Sequence, residues 1–211
     1  MVPNLFLLIY TTSDYGFSNN SLVYRKNKSE IQKAVLWTIL IGLALSFNLL
    51  VFQTGMIAII TYIIITAGLT FLKPRSDKLS WYLGIEFLNL GVALLFTFIF
   101  SAFIAEHNYI EPPFINYLFG LVLSSVVLAD IFRRSNLIDI KSNDADGNFE
   151  RILIFIFIMA LQWWYLAIVL AGMLIYRLIR YRKFDKTWII SPLAGVALSF
   201  LWLLLMNFGL I

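Results

Sequence analysis

Glu86, Asn89, Ala93, Thr97 and Ser101 recur at steps of three, four, four and four, the spacing that keeps side chains on one face of an α-helix. The residues around them are almost wholly apolar, so this polar face belongs to a helix expected to cross a membrane. Glu86 then lies about 10 Å below the start of that helix by helical rise. An ionisable group at such depth is expensive; it must face protein or water and have a partner. The chemistry open to it is proton carriage, cation ligation or contact with a substrate, with Asn89 and Thr97 lining the same path. The structural alternative is a hydrogen-bonded glutamate that ties the bundle together, or one close enough to the interface to snorkel.

Other groups have chemical potential of a weaker kind. Gln162, Trp163, Trp164 and Tyr165 fall in the middle of the fifth apolar stretch, where they would line an aromatic ligand pocket with Gln162 as polar handle, or simply pack. Arg177, Arg180, Arg182 and Lys183 lie on a basic helical extension suited to anionic headgroups or an acidic partner surface. Asp130 precedes Arg133 and Arg134 by three and four residues, the spacing of a local ion pair. His107, flanked by Glu106 and Glu111, is the one histidine; it lacks convincing ligand spacing. Asp144-Ala145-Asp146-Gly147-Asn148 has the look of an EF-hand centre, but position twelve of that register is Leu153, so the bidentate glutamate is missing. A turn with Asp146 or Asn148 capping the next helix explains it better.

Three helices carry small or polar residues every fourth position: Thr38-Gly42-Ser46, Asn116-Gly120-Ser124 and Ser191-Gly195-Ser199, the last extending to Asn207. Such stripes let helices approach closely in lipid and are expected to be packing surfaces.

The elements that must position these residues follow from composition. Of 211 residues, 61% are apolar and 13% charged, against about 45–50% and 25% in soluble domains. A soluble globule of this size could not bury so much apolar side chain, which excludes a soluble enzyme, a disordered chain or a free nucleic-acid-binding domain. With no cysteine and one histidine, disulfides, thiolate catalysis, Cys-ligated zinc, iron–sulfur clusters and bis-His haem within the chain are excluded as well. No metal site or cofactor is expected.

Six stretches, near 34–52, 56–72, 79–105, 114–132, 152–176 and 188–210, are long and apolar enough to cross about 30 Å of hydrocarbon as helices. The expected fold is an all-α polytopic membrane bundle: a single membrane domain over 34–211 preceded by an interfacial or cytoplasmic segment, 1–33. Val2 to Tyr10 is too short to span and lacks the flanks of a signal peptide; it is expected to lie at the interface or tuck in.

The sixteen basic residues fall in four clusters: before the first helix and after the second, fourth and fifth. With six crossings and the N-terminus inside, eleven are cytoplasmic and five, in the Arg177–Lys186 loop, are not. The opposite orientation is worse, so a cytoplasmic N-terminus in a plasma or inner membrane is expected. If the fifth segment entered and left on one side, all sixteen would be inside, but its 25 residues are too few for two crossings.

No Walker loop, GxSxG, HExxH or potassium-filter motif occurs, and no family resemblance emerges. The leading expectation is a small transporter or permease subunit moving an ion or small solute past the polar face of the third helix. Alternatives are a non-catalytic subunit of a larger membrane complex and a lipid-modifying enzyme using Glu86 or His107; as partners, other membrane proteins or further copies of the chain in a homo-oligomer are open. Expected contacts are the bilayer and its anionic headgroups, with no nucleic acid.

Overall fold

The computed structural model describes residues 1–17, 28–73, 79–138, 144–181 and 186–209. Among these the chain is helical throughout, with no strand. The helices are α1 (Leu5–Thr11), α2 (Lys28–Ser46), α3 (Gln53–Leu72), α4 (Leu79–His107), α5 (Pro112–Val122), α6 (Leu128–Arg134), α7 (Ala145–Met159), α8 (Trp163–Tyr181) and α9 (Thr187–Asn207). A π turn, Thr12–Gly16, extends α1, and a second, Leu123–Val127, joins α5 to α6. Six stretches are long and apolar enough to cross a bilayer: Ser29–Val51, Gln53–Leu72, Ser80–His107, Pro112–Arg134, Trp163–Tyr181 and Thr187–Asn207. The protein is a multi-pass, all-α membrane protein. Contacts within the stretch expected to be one membrane domain group into two compact units, Met1–Phe119 and Gly120–Leu210, each described by itself.

In the first unit α1 lies inside the bundle. Its residues Leu5 to Tyr10 are all apolar, and none is more than 7% exposed; a short helix that is hydrophobic all round belongs in an interior. It packs on α2 and, most extensively, on α4. The Phe6 ring meets Tyr62 of α3 at 4.7 Å and Phe96 of α4 at 5.4 Å. A buried helix must have its free backbone groups satisfied by protein. Asn116 does this at one end: its Oδ1 accepts from the Asn4 backbone N–H (3.1 Å) and side chain (2.9 Å), while its amide donates to the Val2 carbonyl (3.0 Å). The Tyr62 hydroxyl donates to the Phe6 carbonyl at 2.8 Å.

The N-terminal segment therefore does not stay at one interface. Phe6 contacts Phe96 and Phe100 of α4, whereas Tyr15 reaches Glu86 near the start of the same helix. Residues 4–16 thus run antiparallel to α4, from the end where α5 begins to the end where α3 stops. Met1 and Lys33 are consequently at opposite ends of the unit. Seven residues of α-helix plus a π turn suffice because protein, rather than lipid, surrounds them.

The second unit holds a helical hairpin where one crossing over 152–176 is expected. Its apolar run is broken at Ala160–Gln162 into α7 and α8, which pack against each other. Glu150 of α7 pairs with Arg177 of α8, the Tyr181 hydroxyl donates to Asp146 at 2.8 Å, and the Phe157 and Tyr165 rings stack at 5.6 Å. Two helices fit because the first starts at Ala145, seven residues before the apolar run; of the charges from Asp144 to Arg151, expected in a loop, Asp144, Glu150 and Arg151 are in ion pairs and Asp146 accepts from Tyr181. The N-cap position is Asp144 rather than Asp146 or Asn148.

The turn itself is a Schellman motif: the Gln162 N–H bonds to the Phe157 carbonyl (2.8 Å) and the Leu161 N–H to the Ile158 carbonyl (3.0 Å). It needs a left-handed residue, supplied by Leu161 at φ 55°. The same closure after α6 uses Asn136 at φ 57°, a residue type that tolerates this conformation. For leucine the left-handed region is unfavourable by roughly 1–2 kcal/mol. Leu161 is 56% exposed, so little packing is lost on its removal. Leu161→Gly is expected to stabilise the protein by about 1 kcal/mol, read as a raised thermal midpoint in detergent; Leu161→Val is expected to lower it. Indifference to both would show that the turn is not closed as described.

Candidate functional site

The polar face of α4 is buried as its spacing requires. Glu86 is 5% exposed, Asn89 and Ala93 0% and Thr97 1%, while Ser101 at the far end is half-buried and bonds to the Phe98 carbonyl. This is the face against which α1 runs, so the path lined by Glu86, Asn89 and Thr97 is filled by α1. The two amide atoms of Asn89 and the Thr97 hydroxyl have no hydrogen-bond partner among the described residues. Such orphaned buried groups are uncommon and expensive in a low-dielectric interior.

At the Glu86 end of that face lies a cluster that spacing could not reveal. Lys73, just past the last turn of α3, is 0% exposed. Its ammonium donates to the Asp14 carboxylate, is 3.5 Å from the Tyr10 hydroxyl, and lies 5.5 Å and 5.7 Å from the ring centroids of Tyr10 and Tyr82. The Tyr15 hydroxyl donates to Glu86 Oε1. Asp14 and Tyr15 sit on the π turn that follows α1, and the Ser13 hydroxyl meets Thr38 of α2 at 3.2 Å. Elements 1–17, α2, α3 and α4 therefore converge on one buried site of two carboxylates, one ammonium and three phenols. The aromatic faces add cation–π attraction where water is excluded. Chemically, each carboxylate has a proton-bearing partner at hand, the Lys73 ammonium for Asp14 and the Tyr15 hydroxyl for Glu86.

A second buried charge set organises the other unit. Arg151, 0% exposed, donates to Asp144 (2.7 Å), the Asn148 side chain (2.6 Å), Ser191 Oγ (2.7 Å) and the Ser125 carbonyl (3.3 Å). Ser125 lies on the π turn between α5 and α6, where the regular hydrogen-bond ladder is interrupted. The Ser191-Gly195-Ser199 stripe serves this arginine: Ser191 accepts from it, and a Cβ at Gly195 would stand 3.2 Å from its Cγ. Arg177 Nη2 pairs with Glu150 at 2.7 Å, and Nη1 reaches the Trp188 carbonyl at 3.5 Å. Pro192, four residues after Trp188, has no N–H to offer that carbonyl.

The remaining expected residues are distributed as follows. Gln162, Trp163, Trp164 and Tyr165 are exposed at the hairpin turn, with Trp164 80% exposed. Aromatic residues at a helix end fit a membrane interface. Arg180 is exposed against the Tyr176 and Tyr181 rings, whereas Arg177 is buried in its ion pair. Arg182 and Lys183 lie outside the described residues. Asp130 pairs with Arg134 at 2.6 Å, as the i,i+4 spacing suggests. His107 is stacked on Phe103 at 4.6 Å with its Nδ1 3.1 Å from the Phe103 carbonyl. The other two stripes are packing surfaces: Thr38 and Ser46 back-bond within α2, and a Cβ at Gly120 would fall 2.2 Å from Trp202 Nε1.

Removing one member of a buried ion pair typically costs about 3–5 kcal/mol because the other charge is left unpaired. Lys73→Met is expected to destabilise the protein by that amount, measured by unfolding in detergent. The double change Lys73→Met with Asp14→Asn is expected to recover more than half of the loss. Equal losses in the single and double variants would show that the pair is not coupled. No family model, no curated protein and no solved structure matches this chain, so the reading of its site rests on its own residues.

Proposed function

We propose that the protein is a proton-coupled transporter of an ion or small solute, with the Asp14–Lys73–Glu86 cluster as its coupling site. The observation that carries this reading is a wholly buried lysine paired with Asp14 among phenols, on a π turn whose Tyr15 also holds Glu86, at one end of a polar face that continues through Asn89 and Thr97. Glu86 to Thr97 covers about 16 Å along α4 by helical rise, roughly half the hydrocarbon thickness. Buried charge of this kind marks ion pathways and proton relays in membrane proteins.

In this reading α1 is the moving part. It fills the polar face and is held by Lys73–Asp14 and Tyr15–Glu86 contacts at one end and by Asn116 at the other. Protonation of Asp14 or Glu86 weakens the first set, since a neutral acid attracts the ammonium less and accepts fewer hydrogen bonds. Asn89 and Thr97 then gain access to water or to the transported species.

The test is proton uptake into liposomes containing the purified protein and a trapped pH-sensitive dye, driven by an imposed membrane potential. Asp14→Asn and Glu86→Gln are each expected to lower the rate at least tenfold, and Asn89→Leu to lower it less. Wild-type liposomes no leakier than empty ones, or an unchanged rate in both carboxylate variants, would overturn the reading.

Orientation follows from the positive-inside rule applied to each unit. In the first, the start of α2 and the end of α3 share the Lys73 end. In the second, the end of α6, the start of α7, the end of α8 and the start of α9 are drawn together by Arg151 over the Phe132 ring, Arg151–Ser191, Arg177–Glu150 and Tyr181–Asp146. With both basic ends cytoplasmic, all sixteen Lys and Arg fall inside, and the Arg177–Lys186 loop ceases to be an exception. Met1 and Asn207 then face outward, in place of a cytoplasmic N-terminus. Because the chain has no cysteine, single cysteines report cleanly: an impermeant maleimide added to intact cells is expected to label positions 109 and 208 but not 135 or 186. Labelling of 186 would overturn the hairpin topology.

A further inference from the structure

α8 and α9 diverge. Both pack on α7, α9 very extensively, but they touch each other little. Two cavities follow from that gap. One, of about 310 Å³, is an apolar groove between the helices, lined by Leu170, Leu174, Ile189, Pro192, Leu193 and Val196 above Glu150. The other, of about 420 Å³, lies at the basic end and is polar, lined by Asp144, Asp146, Gly147, Tyr181 and Thr187. Arg177 and Trp188 belong to both linings, so the two spaces adjoin at a charged neck. Each falls in the size range of about 300–1,000 Å³ typical of ligand sites.

Their chemistry is that of an amphiphile. The groove offers an acyl chain an apolar slot open to the bilayer. The polar cavity offers a headgroup both signs of charge, and the charges present select among headgroups. Asp144 is neutralised by Arg151 and Glu150 by Arg177. Asp146 is different: its described partner is the neutral Tyr181 hydroxyl, and among the described residues no cation lies within ion-pair distance of it. Among the described residues one negative charge is thus left over, beside a guanidinium that uses two of its N–H groups there. A primary ammonium donates short charge-assisted hydrogen bonds to a carboxylate, and a phosphate suits the remaining N–H groups of arginine.

We propose that the α8–α9 cleft is a specific site for one zwitterionic phospholipid with a primary-amine headgroup of the ethanolamine type. The amine sits on Asp146, the phosphate on Arg177 and Thr187, and one acyl chain lies in the Leu170–Val196 groove. This site belongs to the second unit and does not depend on the transport reading. It also differs from an anionic anchor on the basic loop: Asp146 repels a headgroup with net negative charge. A choline headgroup carries the same charge as ethanolamine but has no N–H to donate.

The test uses the full chain purified in detergent, stripped of lipid and titrated in native mass spectrometry with ethanolamine, choline and glycerol phospholipids of identical acyl chains. The expected result is a single ethanolamine lipid bound at least tenfold more tightly than either of the others. Asp146→Asn is expected to bring ethanolamine affinity down to the choline level, whereas Leu193→Trp, which fills the groove from its exposed rim, weakens both zwitterionic lipids at least tenfold with helix content unchanged. Equal affinity of the wild type for ethanolamine and choline lipids overturns the proposal, as does tightest binding of the glycerol lipid. So does an Asp146→Asn variant with undiminished ethanolamine preference.

Discussion

An ammonium with no access to water is the constraint on which the first unit rests. In lipid or protein interior the Coulomb attraction between Lys73 and Asp14 is far larger than at a surface, and so is the penalty for leaving either alone. That contact ties the π turn after α1 to the end of α3. Because α1 is anchored at its other end by Asn116, the whole N-terminal segment is stretched between two fixed points. The helices around it then have a filled centre to pack on: Phe6 against Tyr62 and Phe96, Leu5 to Tyr10 without exposed surface. The polar face of α4 is a consequence too, since it must present Glu86 where Tyr15 arrives.

The second unit solves the same problem with a different cation. Arg151 is planar and rich in donors, so it can bind four groups at once, and it draws together α7, α9 and the π turn at Ser125. Small residues on α9 are the complement of that bulky side chain. Where the first unit isolates its charges around one helix, the second strings them along one end, Asp144 with Arg151 and Glu150 with Arg177. That end stays partly open as a cavity. The start of α7 is held in the hairpin because Asp144 is matched by Arg151 and Glu150 by Arg177.

Hydropathy made the membrane fold legible, since six long apolar helices leave a signal that no local detail can hide. The four-residue stripes and the Asp130–Arg134 pair were also readable, because both depend on spacing within one helix. Glu86 was visible for the same reason, but its neighbours were not: Asp14 lies 59 residues from Lys73 and Tyr15 lies 71 from Glu86, and no periodicity links them. Lys73 read as one more topological charge beside Pro74. α1 was too short to register as a crossing, though its unbroken apolar circumference hinted at burial. The hairpin turn was hidden because its left-handed position is a leucine, when glycine or asparagine would have signalled it. The charged start of α7 looked like loop for want of any sign that its ions were paired.

The placement of α1 has a consequence for how the chain is made. Its residues leave the ribosome before Tyr62, Lys73, Glu86 and Asn116, which satisfy its backbone and its charge and are synthesised 56 to 112 residues later. Until they arrive, seven helical residues and a charged turn have no bilayer-spanning length of their own and no protein to shield them. α1 is therefore seated only after the helices that follow it, and the unit closes around a segment made before its partners.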